Sequence, residues 1–227
     1  MTSAALAVLQ LDTRFPRLPG DIASPDTYLL PVRLQTIAGA DVDAVVTHTP
    51  QAFDLTAFEQ AVEAASEPLL TTSCGFMIYF QDHLSRLSRA PFVSSALTAL
   101  PSLRARYPDE EILIVTFDAA TLTSPAYAAC LDGFSGPVAG LAESSHLYQT
   151  IKQDHDQMDA GRARAELAQL FSQQLACQPQ IKAVLLECTN LSPYKVVFRA
   201  DFDGELVDAL TLLERQSPGL VKPEFLI

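Results

Sequence analysis

Basic residues are scarce in this chain. Fifteen Lys and Arg stand against 27 Asp and Glu, which gives a formal net charge of −12 over 227 residues. A field of that sign repels phosphate backbones and anionic lipid headgroups, so neither nucleic acid nor a membrane surface is an expected partner. Long apolar runs are missing too, since polar residues interrupt each one well short of the ~18 residues a membrane span needs. The apolar opening 1–11 lacks a basic flank and a small-residue cleavage site. It does not read as a signal peptide, and the cytoplasm is the expected location. Cysteine is sparse, with Cys74, Cys130, Cys177 and Cys188 too scattered for a disulfide scaffold. There is no Cys-x-x-Cys pair, and His48, His83, His146 and His155 lie near no cysteine in sequence, so zinc has no local signature.

What is present is a chain 48% hydrophobic and 19% charged, apolar enough for a sizeable core. Short β-rich runs alternate with helical stretches. Strands are expected at 4–11, 41–47, 68–73, 111–117, 137–141 and 183–186. Helices are expected from Asp54 to about residue 66, at 76–87, 94–106 and 159–176, and around 124–131. That alternation implies an α/β architecture with parallel sheets. A weak internal echo sharpens it. Each half has one strand that ends on an aspartate, Asp12 or Asp118, and a later strand that ends on a cysteine, Cys74 or Cys188. Two similar halves follow, each presenting these residues at strand carboxyl ends, where parallel sheets bind ligands. Capping a helix is an equally good reading of either aspartate.

Cys130 and Cys177 fall inside or at the end of helical stretches and read as packing. Cys74 and Cys188 instead stand where β-runs break into small or polar residues, Thr72-Ser73-Cys74-Gly75 and Glu187-Cys188-Thr189-Asn190. A thiol beside a helix N-terminus sees oriented N–H groups that favour thiolate. Two facing thiols suit inversion at a carbon acid, one removing a proton and the other returning one to the opposite face. Backbone amides and hydroxyls would stabilise the developing charge, and no metal or organic cofactor is needed.

These residues resemble the aspartate/glutamate (Asp/Glu/hydantoin) racemase superfamily. Leu186-Glu187-Cys188-Thr189-Asn190-Leu191 is similar to that family's second-cysteine motif, and Thr72-Ser73-Cys74 stands at the place of its first. Thr121-Leu122-Thr123-Ser124-Pro125-Ala126-Tyr127 resembles its Thr-x-x-Ser-x-x-Tyr segment, and Leu11-Asp12-Thr13 its Asp-Ser pair after the first strand. The resemblance implies two pseudo-symmetric parallel-sheet lobes with helices on both faces and the active site between them. The lobes would be 1–92 plus 201–227, and 93–200. It implies Cys74 and Cys188 as the acid/base pair of a cofactor-independent racemase or epimerase, an isomerase acting on a small amino acid or related carboxylate. It implies Asp12 as a charge partner of the first thiol, with Thr13, Ser73, Gly75, Thr121, Thr189 and Asn190 at the substrate. Family members often pair, so the resemblance is compatible with a homodimer, although no apolar stripe in the sequence identifies an interface.

Some positions depart from the family pattern. Cys74-Gly75-Phe76 replaces its Cys-Asn-Thr, Phe117-Asp118 stands where a Gly-Thr pair is common, and Asn190 replaces a histidine typical of glutamate racemases. Phe76 and Phe117 point to a more apolar pocket, and ordinary core packing is at least as good a reading of both. The proline-rich loop that follows Thr13 carries Arg14 and Arg17; it reads either as a solvated surface loop or as an entrance loop whose cations would attract an anionic substrate group. The alternatives are a hydantoin racemase, a maleate isomerase, a decarboxylase-type member of the same fold, or a non-catalytic α/β small-molecule-binding protein.

Overall fold

The structure is a computed structural model that describes residues 4–227; residues 1–3 of the apolar opening lie outside it. The elements run β1 (Leu6–Leu11), β2 (Val32–Ile37), α1 (Val42–Val45), α2 (Thr56–Ala64), β3 (Leu70–Thr72), α3 (Gln81–Leu87), β4 (Phe92–Val93) and α4 (Leu100–Arg104). The second half runs β5 (Ile112–Thr116), α5 (Ala119–Leu122), α6 (Ala128–Leu131), β6 (Val138–Gly140), α7 (His146–Lys152), α8 (Ala160–Cys177), β7 (Ala183–Leu186), α9 (Lys195–Arg199), β8 (Glu205–Val207) and α10 (Ala209–Gln216). Two four-stranded parallel sheets result, ordered β2-β1-β3-β4 and β6-β5-β7-β8. The orders are the same, so β1 corresponds to β5 and β3 to β7, and the two lobes repeat one plan with helices on both faces. The central strands LAVLQL, ILIVT and AVLL are almost wholly buried, as strands covered on both sides must be.

Several local expectations change. The 41–47 stretch is not a strand: Asp41 accepts from the Ala44 N–H and starts α1. The strand is β2 just upstream, a half-buried sheet edge whose VRLQTI has too few apolar residues to declare itself. The helices expected at 76–87 and 94–106 each begin with a 3₁₀ segment, Gly75–Phe80 and Ala96–Ala99. The lobe boundary also moves. β8 pairs with β7 in the second sheet, and the chain returns to the first lobe only with α10. There Ala209, Leu210 and Leu213 cluster with Leu6 and Val8.

Candidate active site

The carboxyl ends of the four central strands face one another between the lobes. After β3 the chain turns at Cys74, which precedes the 3₁₀ segment Gly75–Phe80; after β7 it turns at Cys188, which precedes Thr189–Tyr194. The two cysteines therefore occupy equivalent positions. Both are buried, and both line a single cavity of about 30 Å³. Its apolar walls include Leu11, Phe15, Phe76 and Phe117, while Arg17, Ser73, Glu187, Thr189 and Asn190 supply its polar groups. Phe117 is held flat against Tyr148, with centroids 4.6 Å apart.

Direct hydrogen bonds close the lobes around this space. The Thr189 hydroxyl of the second lobe donates to the Ser73 carbonyl of the first (2.8 Å), and within the first lobe Ser73 Oγ accepts from the Leu11 N–H (2.9 Å). The loop after β1 lies across the opening. Asp154 of the second lobe accepts from the Arg14 and Phe15 N–H groups, and Asn190 Nδ2 donates to Asp21 Oδ2 (2.7 Å). Arg17 lies within this loop, over the Phe15 ring at 4.2 Å, with Nη1 toward Asp21 and Nη2 donating to Thr13. Its Nε is buried and has no hydrogen-bond partner among the described residues, and Arg17 is part of the cavity lining.

The thiols are less acidic than their helix-start positions suggest. Burial pushes Cys74 up to about 12, and the neighbouring Glu187 carboxylate adds to that; the Phe76 N–H, Arg17 and the Met77 N–H pull the other way. Cys188 is raised well above the ordinary thiol range, again by burial first and Glu187 second, against the Asn190 N–H. Its Sγ donates to Asn190 Oδ1 at 3.7 Å. The expected N–H groups are present, but desolvation outweighs them. Glu187 is itself only 1% exposed, and burial raises it to about 7 although the Thr116 hydroxyl bonds its Oε2 (2.7 Å). Its Oε1 lies against Gly75, where a Cβ would come within 2.0 Å of that oxygen. Glycine follows Cys74 because the carboxylate occupies the space of a side chain.

Of the residues expected at the substrate, Ser73, Gly75, Thr189, Asn190 and Arg17 line the cavity beside the two cysteines. Four do not. Asp12 is exposed and accepts from the Gly39 N–H, so it is no charge partner of the first thiol. Thr13 reaches the site only through Arg17. Thr121 is bound to Asp118, which caps α5; the capping reading of Asp118 is the one realised. Arg14 points outward and pairs with Asp154. Cys130 is half-buried, and Cys177 is exposed rather than packed. The sequence reading assigned no role to Glu187 or Asp21. The available signal for Glu187 was an acidic residue closing the apolar run Ala183-Val184-Leu185-Leu186, a place where a charge is costly unless it is used.

No family model matches the chain. Among curated proteins it is 28% identical over 225 residues to dimethylsulfoniopropionate lyase 5 of Emiliania huxleyi, covering 92% of this chain and 44% of that relative. It is 24% identical over 231 residues to dimethylsulfoniopropionate lyase of Durusdinium sp. clade D, covering 91% of this chain and 72% of that one. The chain thus spans less than half of the first relative. Among solved structures it is similar to allantoin racemase from Klebsiella pneumoniae, with TM-score 0.62, 12% identity and coverage of 94% of this chain and 87% of that one. It is also similar to a glutamate racemase from Bacillus anthracis, with TM-score 0.56, 12% identity and coverage of 96% and 84%. The chain has the fold of the aspartate/glutamate racemase superfamily. The expected racemase or epimerase activity, and with it the isomerase class, is corrected by the sequence relatives, which are named as lyases.

Proposed function

We propose that this chain is a carbon–sulfur lyase that cleaves dimethylsulfoniopropionate, or a closely similar sulfonium carboxylate, by β-elimination. The observation that carries the reading is the pairing of two thiols with an unsatisfied buried Arg17 Nε in one apolar-walled cavity, in a chain whose curated relatives bear that lyase name. Such a substrate has a carboxylate at one end and a sulfonium two carbons away. Arg17 Nε would hold the carboxylate by a charge-assisted hydrogen bond. The aromatic walls would take the S-methyl groups, with ring faces favourable to a cation.

Cys74 is the base in this reading. Burial and Glu187 oppose its ionisation, while two backbone N–H groups and Arg17 act in favour of the thiolate; Cys188 is instead committed as a donor to Asn190. The thiolate takes a proton from the carbon next to the carboxylate. That C–H pair forms the new double bond, the C–S bond breaks with its electrons on sulfur, and dimethyl sulfide and acrylate leave. The charge that builds on the carboxylate in the transition state falls on Arg17, a preorganised donor. A cavity of about 30 Å³ has room for about one or two waters, so the loop carrying Arg17 must open to admit substrate.

The test is incubation of the protein with dimethylsulfoniopropionate, with dimethyl sulfide measured in the headspace and acrylate in solution. Equimolar release is expected, and Cys74→Ser should lower it by roughly 10²–10⁴-fold. No dimethyl sulfide above the buffer rate, or a Cys74→Ser protein as fast as the parent, would overturn the reading.

A further inference from the structure

A buried thiol titrating near 12 holds almost no thiolate at neutral pH, so a thiol base needs somewhere to put its proton. We propose that Glu187 is that acceptor: its Oε1, which no group hydrogen-bonds in the resting structure, takes the proton of the Cys74 thiol when the two side chains move into contact, and makes the thiolate inside the closed cavity. The inference rests on the lyase reading for its purpose but on separate observations for its support.

Glu187 Oε1 is buried, has no hydrogen-bond partner among the described residues, and lies against the residue that follows Cys74. Oε2 is anchored by Thr116, which fixes the direction of the free oxygen. The ionisable groups around the carboxyl are the Cys74 and Cys188 thiols and the Tyr127 phenol, with Arg17 and Asp21 acting on the same thiols. Part of what raises Cys74 is repulsion from the Glu187 carboxylate itself. Moving the proton from sulfur to oxygen relocates one negative charge rather than adding a second, so that repulsion vanishes as the thiolate forms.

The proton balance closes. The S–H bond breaks with its electrons on sulfur, and an O–H bond forms on Glu187. Elimination then returns a proton from the substrate to Cys74 and leaves one extra proton on Glu187. A carboxyl near 7 can pass it to solvent at neutral pH, matching the one proton released per substrate cleaved. Glu187 acts on the substrate through Cys74, as a positioning residue for the proton.

The test uses the free protein and iodoacetamide, with alkylation of the Cys74 peptide followed by mass spectrometry from about pH 5 to 10. The wild-type rate should rise to a plateau with a midpoint near 7, set by the shared proton. In Glu187→Gln that step should vanish, with the rate at pH 8 lower by about ten-fold or more and rising only as the thiol itself titrates. Glu187→Asp should keep a step. Thr116→Val, which removes the donor to Oε2, should move the step to higher pH and serves if the Gln variant does not fold. A wild-type profile without the step, a Gln profile identical to wild type, an unmoved step in Thr116→Val, or a Cys74 inert at every pH would each overturn the proposal. None of these needs turnover. A chain that shows the step but releases no dimethyl sulfide loses the lyase reading and keeps the proton acceptor.

Discussion

At Glu187 one carboxylate oxygen is bonded to Thr116 and the other is bare, in surroundings that include Phe76, Phe117 and two thiols. Holding a carboxyl there has a cost that depends on pH. Burial raises Glu187 from its ordinary 4.5 to about 7, so the folded state binds this proton more tightly than the unfolded chain does. The stability it confers is complete below the unfolded value and is lost as pH rises through 7. A displacement of that size is worth on the order of 3 kcal/mol. Glu187→Gln, neutral at every pH, should therefore match the wild type in urea midpoint near pH 4 and exceed it near pH 8. Parallel curves at the two pH values would mean that the carboxyl is not strained by burial. A residue that makes the fold more stable when replaced is expected where function has been placed in an unfavourable environment.

The elements carry the functional residues to their places, and here one sequence expectation can be tested directly. Thr121 matches a substrate-contacting position in the family pattern, yet its hydroxyl donates to Asp118 (2.7 Å) and its N–H is the donor that Asp118 caps at the start of α5. Thr121→Val keeps the shape and removes the hydroxyl. It should lose roughly 0.5–1.5 kcal/mol of stability by urea denaturation while the proposed dimethyl sulfide release, measured per folded molecule, stays within about two-fold; a collapse of that activity with an unchanged midpoint would return Thr121 to the site. The same contrast explains what was legible beforehand. β1, β5 and β7 are continuous apolar runs covered on both faces, so they announced themselves, and the thiol at the end of β7 came with them. β4 and β8 are two and three residues long and leave no periodicity to read. β2 is an edge strand whose Arg33 and Gln35 dilute its apolar residues. Asp12 and Thr121 were misplaced because a polar residue after a strand serves a loop or a cap as readily as a ligand, and only three-dimensional partners separate the cases. Arg17 was legible as a cation but indistinguishable from Arg14 until the loop was seen to bury one and expose the other.

For the molecule as a whole, a site shared by two lobes requires that the lobes be held together away from the cavity, so that its loop can open without the lobes parting. The chain crosses back to the first lobe between β8 and α10, and a buried ion pair sits at that crossing. Lys195, the first residue of α9, lies 2.8 Å from Asp208 Oδ1, with side chains 3% and 0% exposed. The lysine also donates to the Phe225 carbonyl (2.6 Å), and Asp208 caps α10 through the Thr211 N–H (2.9 Å). One ammonium thus ties the second lobe to the cap of α10 and to the C-terminal segment. Removing one member of such a pair leaves an uncompensated buried charge, a loss of about 3–5 kcal/mol, whereas removing both charges costs far less. Lys195→Met should accordingly lower the urea midpoint severely. Adding Asp208→Asn, which keeps an acceptor for the cap and discards the charge, should recover at least about half of the loss. Additive losses in the double variant would mean that the two groups do not act as a pair. A single Lys195→Met protein with the wild-type midpoint would mean that apolar burial alone holds the lobes, leaving the ion pair no part in keeping Cys74 and Cys188 on one cavity.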